Sequence, residues 1–116
     1  MRNKIIIQKM LGYVSKVIRY CEDYSYEQFS EDSMLVEACV FNLSQLGELC
    51  HTADDAFVQN YPQIPWKEMY GLRNRIVHDY EGVNLRLVWE IIRGDLPELE
   101  EMLRKLFEEI YEVPRR

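Results

Sequence analysis

The sequence predicts an all-α protein, a bundle of four main helices, and three observations indicate this class. Apolar residues recur at steps of three and four along most of the chain, as on one face of an α-helix. The five glycines and four prolines among 116 residues are too few to mark a linker between domains. Hydrophobic residues make up 47% of the chain, enough for one ordinary core. We therefore expect a single domain over residues 1–116.

Composition also excludes several classes of protein. The longest continuous apolar runs cover only a few residues, such as Ile5 to Ile7, whereas a membrane-spanning helix needs about 20. The N-terminus shows no secretory signal. The three cysteines, Cys21, Cys39 and Cys50, are odd in number and lack C-x-x-C spacing, which favours reduced core thiols. The two histidines form no H-E-x-x-H pair, so no metal site is expected. Together these features predict a cytoplasmic protein without a cofactor or a membrane partner.

The first helix is predicted from an apolar stripe at steps of four and three. The residues of this stripe are Ile7, Leu11, Val14, Ile18 and Cys21. On the other side of the helix, Arg2, Lys9 and Lys16 are seven residues apart, and Arg19 lies one turn beyond. This basic stripe is either a solvated helix face or a surface that binds a phosphate backbone.

Charge is segregated along the chain, whose net value is −6. The first 19 residues contain five basic residues and no acid, whereas Tyr20 to Ile64 contains nine acids and no Lys or Arg. An acidic balance argues against a general nucleic-acid binder, whose surface is usually basic. A segregated surface can still attract a polyanion at one place and repel it at another.

A second helix is expected from about Asp32 into the fifties, after a turn at Ser25 to Ser30 that ends in a good helix start. It is apolar on most of its circumference, as expected of a central helix with neighbours on several sides. Gly47 within it suggests close approach by another backbone. Pro62 and Pro65 then break the helix.

A third helix is predicted from Trp66 to about Tyr80, and Gly82 ends it. Asn84 can cap a fourth helix, in which Gly94 and Pro97 are expected to introduce a kink. The apolar seam of this fourth helix keeps three- and four-residue steps throughout. Its members are Leu85, Val88, Ile92, Leu96, Leu99, Leu103, Leu106 and Ile110.

The third helix breaks its own pattern, because Arg73 falls in the middle of its apolar face. A buried guanidinium needs a carboxylate, a gap to solvent, or a phosphate. A structural ion pair is one explanation, with Glu48 or Asn42 of the second helix as the partner. A phosphate ligand is the other.

Asn74 and His78 are one turn apart, so they can act together. Arg73 and His78 are five residues apart, about 140° around the helix, so one straight helix does not aim both at the same atom. A distorted helix end or a second copy of the chain would let them converge. His78 could equally be a helix cap or a satisfied core group, and Tyr80 by itself could be a core residue.

These segments together resemble the HepT-like HEPN ribonuclease toxins. The central motif is R-x4-H-x-Y, formed here by Arg73, His78 and Tyr80. The resemblance covers nearly the whole chain. The flanking segments that carry it are Asn42 to Glu48, Ile64-Pro65-Trp66, Gly71-Leu72-Arg73-Asn74, Val77-His78-Asp79-Tyr80, Val83, Val88-Trp89 and Asp95-Leu96-Pro97.

The resemblance implies a HEPN-type up-down bundle of four main helices with a short extra helical turn. It also implies a homodimer in which two motifs form one composite site, and RNA cleavage that needs no metal. In that chemistry the ribose 2′-hydroxyl attacks the adjacent phosphorus. Arg73 and His78 would be catalytic, His78 as general acid/base and Arg73 on the phosphoryl oxygens, with Asn74 and Glu48 in support. RNA would be bound by Arg2, Lys9, Lys16, Arg19 and Arg75.

The resemblance further implies a partner, a minimal nucleotidyltransferase antitoxin that transfers AMP to Tyr80, as in a type VII-like toxin–antitoxin pair. A bulky anion so close to Arg73 would compete for its charge and obstruct RNA. The alternative function is a non-catalytic HEPN module that binds a nucleotidyltransferase or a nucleotide. The intact Arg73 and His78 favour catalysis, since a scaffold does not need an imidazole at that position.

Overall fold

The structure is a computed structural model that describes residues 2–78 and 84–111, with side chains at 3–72, 74 and 84–110. These residues form seven α-helices and one π-helical segment, and no strand occurs among them, which confirms the all-α class. The helices are α1 (Arg2–Tyr20), α2 (Tyr26–Glu31), α3 (Ser33–Thr52), α4 (Asp55–Asn60), α5 (Trp66–His78), α6 (Leu85–Glu90) and α7 (Leu96–Tyr111), and the π-helical segment is Ile91–Asp95. None of the described helices is long and apolar enough to cross a membrane.

The buried face of α1 differs from the predicted stripe. Leu11 and Ile18, expected at its centre, are only half-buried, whereas Ile6, Met10 and Val17 are buried. The reason is that α1 packs against both α3 and α7. Its buried face therefore lies between these two neighbours and is wider than a single stripe.

The predicted turn at Ser25 to Ser30 is in fact a short helix, α2. Ser25 caps it, because the Ser25 hydroxyl accepts from Gln28 N–H while the Gln28 side chain accepts from Ser25 N–H. Ser30 does not start the next helix. Asp32 does so, and its Oδ1 accepts from Leu35 N–H at 3.0 Å. The backbone N–H of Asp32 also closes the end of α2, so one residue joins two helices at a corner.

Helix α3 lies at the centre of the bundle, with α1, α2 and α5 packed against it. Its core side is buried at Cys39, Leu43 and Leu46. The expectation of neighbours on most sides holds only in part, because Met34 is 81% exposed and Phe41 is 60% exposed. These two residues are seven apart and share the side of α3 that faces away from the core.

Helices α1 and α7 run antiparallel. The Ser15 hydroxyl donates to a Glu100 carboxylate oxygen at 2.7 Å, and Arg93 Nη1 donates to the Cys21 carbonyl at 3.1 Å. The Arg93 guanidinium also lies over the Trp89 ring, with its carbon 5.2 Å from the ring centroid. The Cys21 carbonyl, just beyond the end of α1, also accepts from Tyr24 N–H at 3.1 Å, so Arg93 adds a second bond to it and ties the end of α1 to the π-helical segment.

Asn84 caps the fourth predicted helix as expected, since its side chain accepts from Leu87 N–H at 3.1 Å. The helix then widens into a π-helical turn over Ile91–Asp95, which contains Gly94 and ends just before α7. Pro97 cannot donate a bond to the carbonyl four residues earlier, and its ring crowds that carbonyl. The π-helical turn next to this proline lies at the place where the sequence predicts a kink.

The double role of Asp32 predicts a measurable effect on stability. Asp32→Ala should lower the free energy of unfolding by about 1 kcal/mol, because it removes the N-terminal cap of α3. Asp32→Asn should recover most of this loss, since an amide oxygen also accepts from Leu35 N–H. The measurement is urea unfolding followed by circular dichroism. Tyr24→Phe is the control, because it removes only the 3.3 Å hydrogen bond from Tyr24 to Asp32. An Asp32→Asn variant as unstable as Asp32→Ala would contradict the capping role.

Candidate functional site

The predicted catalytic residues, Arg73 and His78, lie on α5. Aromatic packing fixes where this helix begins. Trp66 Nε1 donates to the Tyr61 carbonyl at 2.9 Å, and the Trp66 ring meets Phe57 of α4 edge-on at 5.9 Å. Ile64, just before the helix, is almost fully buried. The Pro65 carbonyl accepts the first bond of the helix, from Met69 N–H at 3.1 Å. The start of α5 is therefore held firmly.

Helix α5 packs mainly on α3. Cys50 Sγ contacts Met69 Sδ at 3.9 Å, and the His51 ring stacks on the Tyr70 ring with centroids 4.4 Å apart and planes 11° apart. The end of α3 thus meets the beginning of α5, so the two helices run antiparallel. His51 is exposed.

The structure places Arg73, Asn74 and His78 on one uninterrupted helix, because α5 continues to His78. Five residues of α-helix separate Arg73 from His78, about 7.5 Å along the axis and about 140° around it. The side chains of Arg73, Arg75 and His78 lie outside the described part. Tyr80 and Gly82 lie outside the described residues altogether.

Glu48 and Asn42, the two candidate partners on α3, occupy different levels of the bundle. Glu48 is half-buried and lies two residues before Cys50, so antiparallel packing puts it about level with Gly71, close to Arg73 along the axis. Asn42 is buried, and its amide donates to the Ala38 carbonyl at 2.7 Å within α3 itself. Asn42 is therefore partly satisfied by its own helix, and the supporting role of Glu48 stays a prediction.

Phe41 is an exposed aromatic residue of α3 at about the level of the motif along the bundle. Phe41 is nine residues before Cys50, and His78 is nine residues after Met69. Nine residues of α-helix span about 14 Å in each direction, so Phe41 is about level with His78. A sequence signal for this exposure exists: Glu37, Ser44 and Gln45, which lie one turn from Phe41 on the same side of α3, are all polar.

The basic stripe of α1 is exposed where the structure describes it, at Lys9, Lys16 and Arg19. The side chain of Arg2 lies outside the described part. Because α1 packs mainly against α3 and α7, whereas α5 packs mainly against α3, the central helix separates the stripe from the motif helix. Within one chain the structure does not bring the two together.

The cysteines are core residues, as predicted. Burial raises the pKa of the Cys50 thiol to about 12, so it stays protonated at neutral pH. The sulfur atoms of Cys21 and Cys39 lie 3.5 Å apart between α1 and α3, and their hydrogen bond, together with burial, raises the pKa of Cys39, whereas the same bond lowers the pKa of Cys21. The Cys39 and Cys50 thiols are therefore poor nucleophiles. Among the described side chains, no group of three His, Cys, Asp or Glu residues is placed to hold a metal ion.

Comparison with known families agrees with this helical architecture. Residues 10–106 match the family described as ribonuclease HepT-like. The chain belongs to the HepT-like ribonuclease family. The match includes all of α5 and α3, the two helices that position the candidate site.

Two relatives illustrate the similarity. A protein of Caldanaerobacter subterraneus named "putative RNase" is 32% identical over 103 residues, which cover 83% of this chain and 92% of that protein. A protein of Shewanella oneidensis named mRNA nuclease HepT is 27% identical over 126 residues, which cover 87% of this chain and 95% of that protein. No solved structure gave a significant match.

Proposed function

We propose that this HepT-like protein is a toxin whose activity is metal-independent cleavage of RNA. The observation that carries the proposal is the continuity of α5, which holds Arg73, Asn74 and His78 on one helix within a ribonuclease family. The names of the relatives support an RNA substrate. The site of action is the reducing cytoplasm, in keeping with the free thiols of the three cysteines.

The proposed reaction is an internal transfer at phosphorus. The ribose 2′-oxygen attacks the adjacent phosphorus, and the bond to the 5′-oxygen of the next nucleotide breaks. His78 exchanges the protons with the attacking and leaving oxygens, since an imidazole has a near-neutral intrinsic pKa. Arg73 stabilises the charge that develops on the phosphoryl oxygens. The products are a cyclic phosphate and a 5′-hydroxyl.

A homodimer would complete the site. One helix directs Arg73 and His78 about 140° apart, so a second motif is needed to supply both groups to one phosphate. Met34 and Phe41 support this assembly, because they expose apolar surface on one side of α3 and Phe41 is about level with His78. A second copy that covered this side would bring the two motif helices near the twofold axis.

The dimer predicts a defined oligomeric state. Size-exclusion chromatography with light scattering at micromolar concentration should give twice the mass of the chain. Phe41→Glu should shift the mass toward the monomer, because it places a carboxylate in the apolar contact. Glu37→Gln, on the same exposed part of α3, is the control and should stay dimeric. A monomeric wild-type protein would remove the composite-site argument.

Catalysis by this pair predicts that His78→Ala and Arg73→Ala each lower the rate of RNA cleavage by about 100-fold or more. The helical circular dichroism spectrum should not change. Lys105→Ala, an exposed substitution on α7, is the control and should cleave at the wild-type rate. Cleavage should persist in excess EDTA. Loss of cleavage on chelation, restored by a divalent ion, would overturn the mechanism. A wild-type protein that does not cleave RNA but still binds a nucleotidyltransferase would favour the alternative function, a non-catalytic module.

Regulation by AMP transfer is the second half of the proposal. A partner nucleotidyltransferase would direct the Tyr80 oxygen to the α-phosphorus of ATP, with pyrophosphate as the leaving group. Tyr80 is seven residues beyond Arg73, and the attached phosphodiester would place an anion near the arginine that binds RNA. Modification would therefore block the nuclease without unfolding it.

Intact-mass spectrometry tests this step after co-expression with the nucleotidyltransferase encoded beside the protein. AMP-sized additions should appear on the wild-type chain and be absent from Tyr80→Phe. Tyr70→Phe, on the described part of α5, is the matched control and should be modified like the wild type. Additions mapped to another tyrosine, or an unmodified wild type, would contradict the assignment of Tyr80.

A further inference from the structure

An apolar groove of about 430 Å³ separates α5 from α7. It exists because α5 packs mainly on α3, whereas α7 packs mainly on α1 and on the π-helical segment. We refer to it as the α5/α7 groove. Its apolar lining consists of Leu43, Leu46, Pro65, Met69, Leu72, Ile91, Leu96, Leu99 and Met102.

The rim of the α5/α7 groove is acidic. Glu68 of α5, Asp95 of the π-helical segment and Glu98 of α7 complete the lining, and all three are exposed. Among the described residues of the lining there is no lysine or arginine. An apolar floor with carboxylates on both sides is complementary to a helix that carries an apolar stripe between lysines or arginines.

The side chains that line the groove suit such a ligand. Leu72 and Met102 are half-buried and lie on opposite walls, so their remaining exposed surface is available to an incoming side chain. Met69 and Met102 are unbranched and polarisable, and methionines adapt to apolar partners of different shape. Leu72 directly precedes Arg73, so a ligand in the groove would touch the motif helix.

A second copy of the chain does not fit the α5/α7 groove. In a twofold dimer through this surface, the acidic rim would face an identical acidic rim, and like charges repel. The exposed apolar side of α3 also lies elsewhere, because Phe41 and Leu43 are two residues apart and point about 200° apart around the helix. The groove and the proposed dimer surface are therefore on opposite sides of α3.

We propose that the α5/α7 groove is a docking site for a partner protein, which inserts an amphipathic helix with an apolar stripe and flanking lysines or arginines. The docking does not depend on RNA cleavage. It depends on apolar contact with the floor of the groove and on attraction to Glu68, Asp95 and Glu98. A protein that docks here acts on α5 on the side remote from the exposed face of α3.

The probe for this site is a fluorescein-labelled amphipathic helical peptide of leucine and lysine, titrated with the full-length protein and followed by fluorescence anisotropy. The wild-type protein should bind it, and the equivalent peptide of leucine and glutamate should not bind. Glu98→Lys should weaken binding by about tenfold, because it reverses a charge of the rim. Met102→Arg should weaken binding at least as much, since it puts a cation inside the groove.

Glu108→Lys is the matched control, because it makes the same change of charge on an exposed site of α7, about 15 Å farther along the axis. It should bind the peptide within about twofold of the wild type. Equal weakening by Glu98→Lys and Glu108→Lys would show attraction by net charge alone and overturn the proposal. Unchanged binding of the peptide to the Met102→Arg variant would also overturn the proposal. Loss of the dimer in Met102→Arg would assign the groove to a second copy, which also overturns it. None of these outcomes depends on cleavage of RNA, so each is distinct from failure of the proposed nuclease.

Discussion

The packing of α5 on α3 is the contact on which the candidate site depends. Helix α5 carries Arg73, Asn74 and His78, and its first half is held by Met69 against Cys50 and by Tyr70 against His51. The end of α5 lies farther along α3, about level with Phe41. The position of the motif on α5 is therefore set by α3, which contacts α5 mainly through apolar side chains.

The two sides of α3 divide the molecule. The core side supplies Leu43 and Leu46 to the floor of the α5/α7 groove, and the outer side exposes Met34 and Phe41. Charge is also unevenly placed, with acidic residues at the groove and exposed lysines on α1. A chain of net charge −6 can bind RNA only where its basic residues are gathered, and one chain keeps the α1 stripe apart from α5. Assembly of two chains is the step that can bring a basic surface to the motif.

Local features of the fold were predictable from the sequence. Asn84 caps its helix as predicted, and Trp66 begins α5 as predicted, because a cap or a proline acts on residues within one turn. The second predicted helix begins at Asp32 as predicted, whereas Ser30 lies within the short helix α2, whose end the Asp32 N–H closes. The irregularity near Gly94 and Pro97 was expected, but its form, a π-helical turn, was not.

The sequence by itself determined the all-α class, the starts of α3, α5 and α6, and the membership of a ribonuclease family, because periodicity, caps and the R-x4-H spacing are local patterns. It did not mark α2 and α4 as separate helices. Only the tertiary structure decided which apolar residues are buried. Phe41 and Leu43 are equally apolar in the sequence, and packing exposes one and buries the other. The α5/α7 groove has the same origin, since a gap between two helices depends on how each packs against its other neighbours.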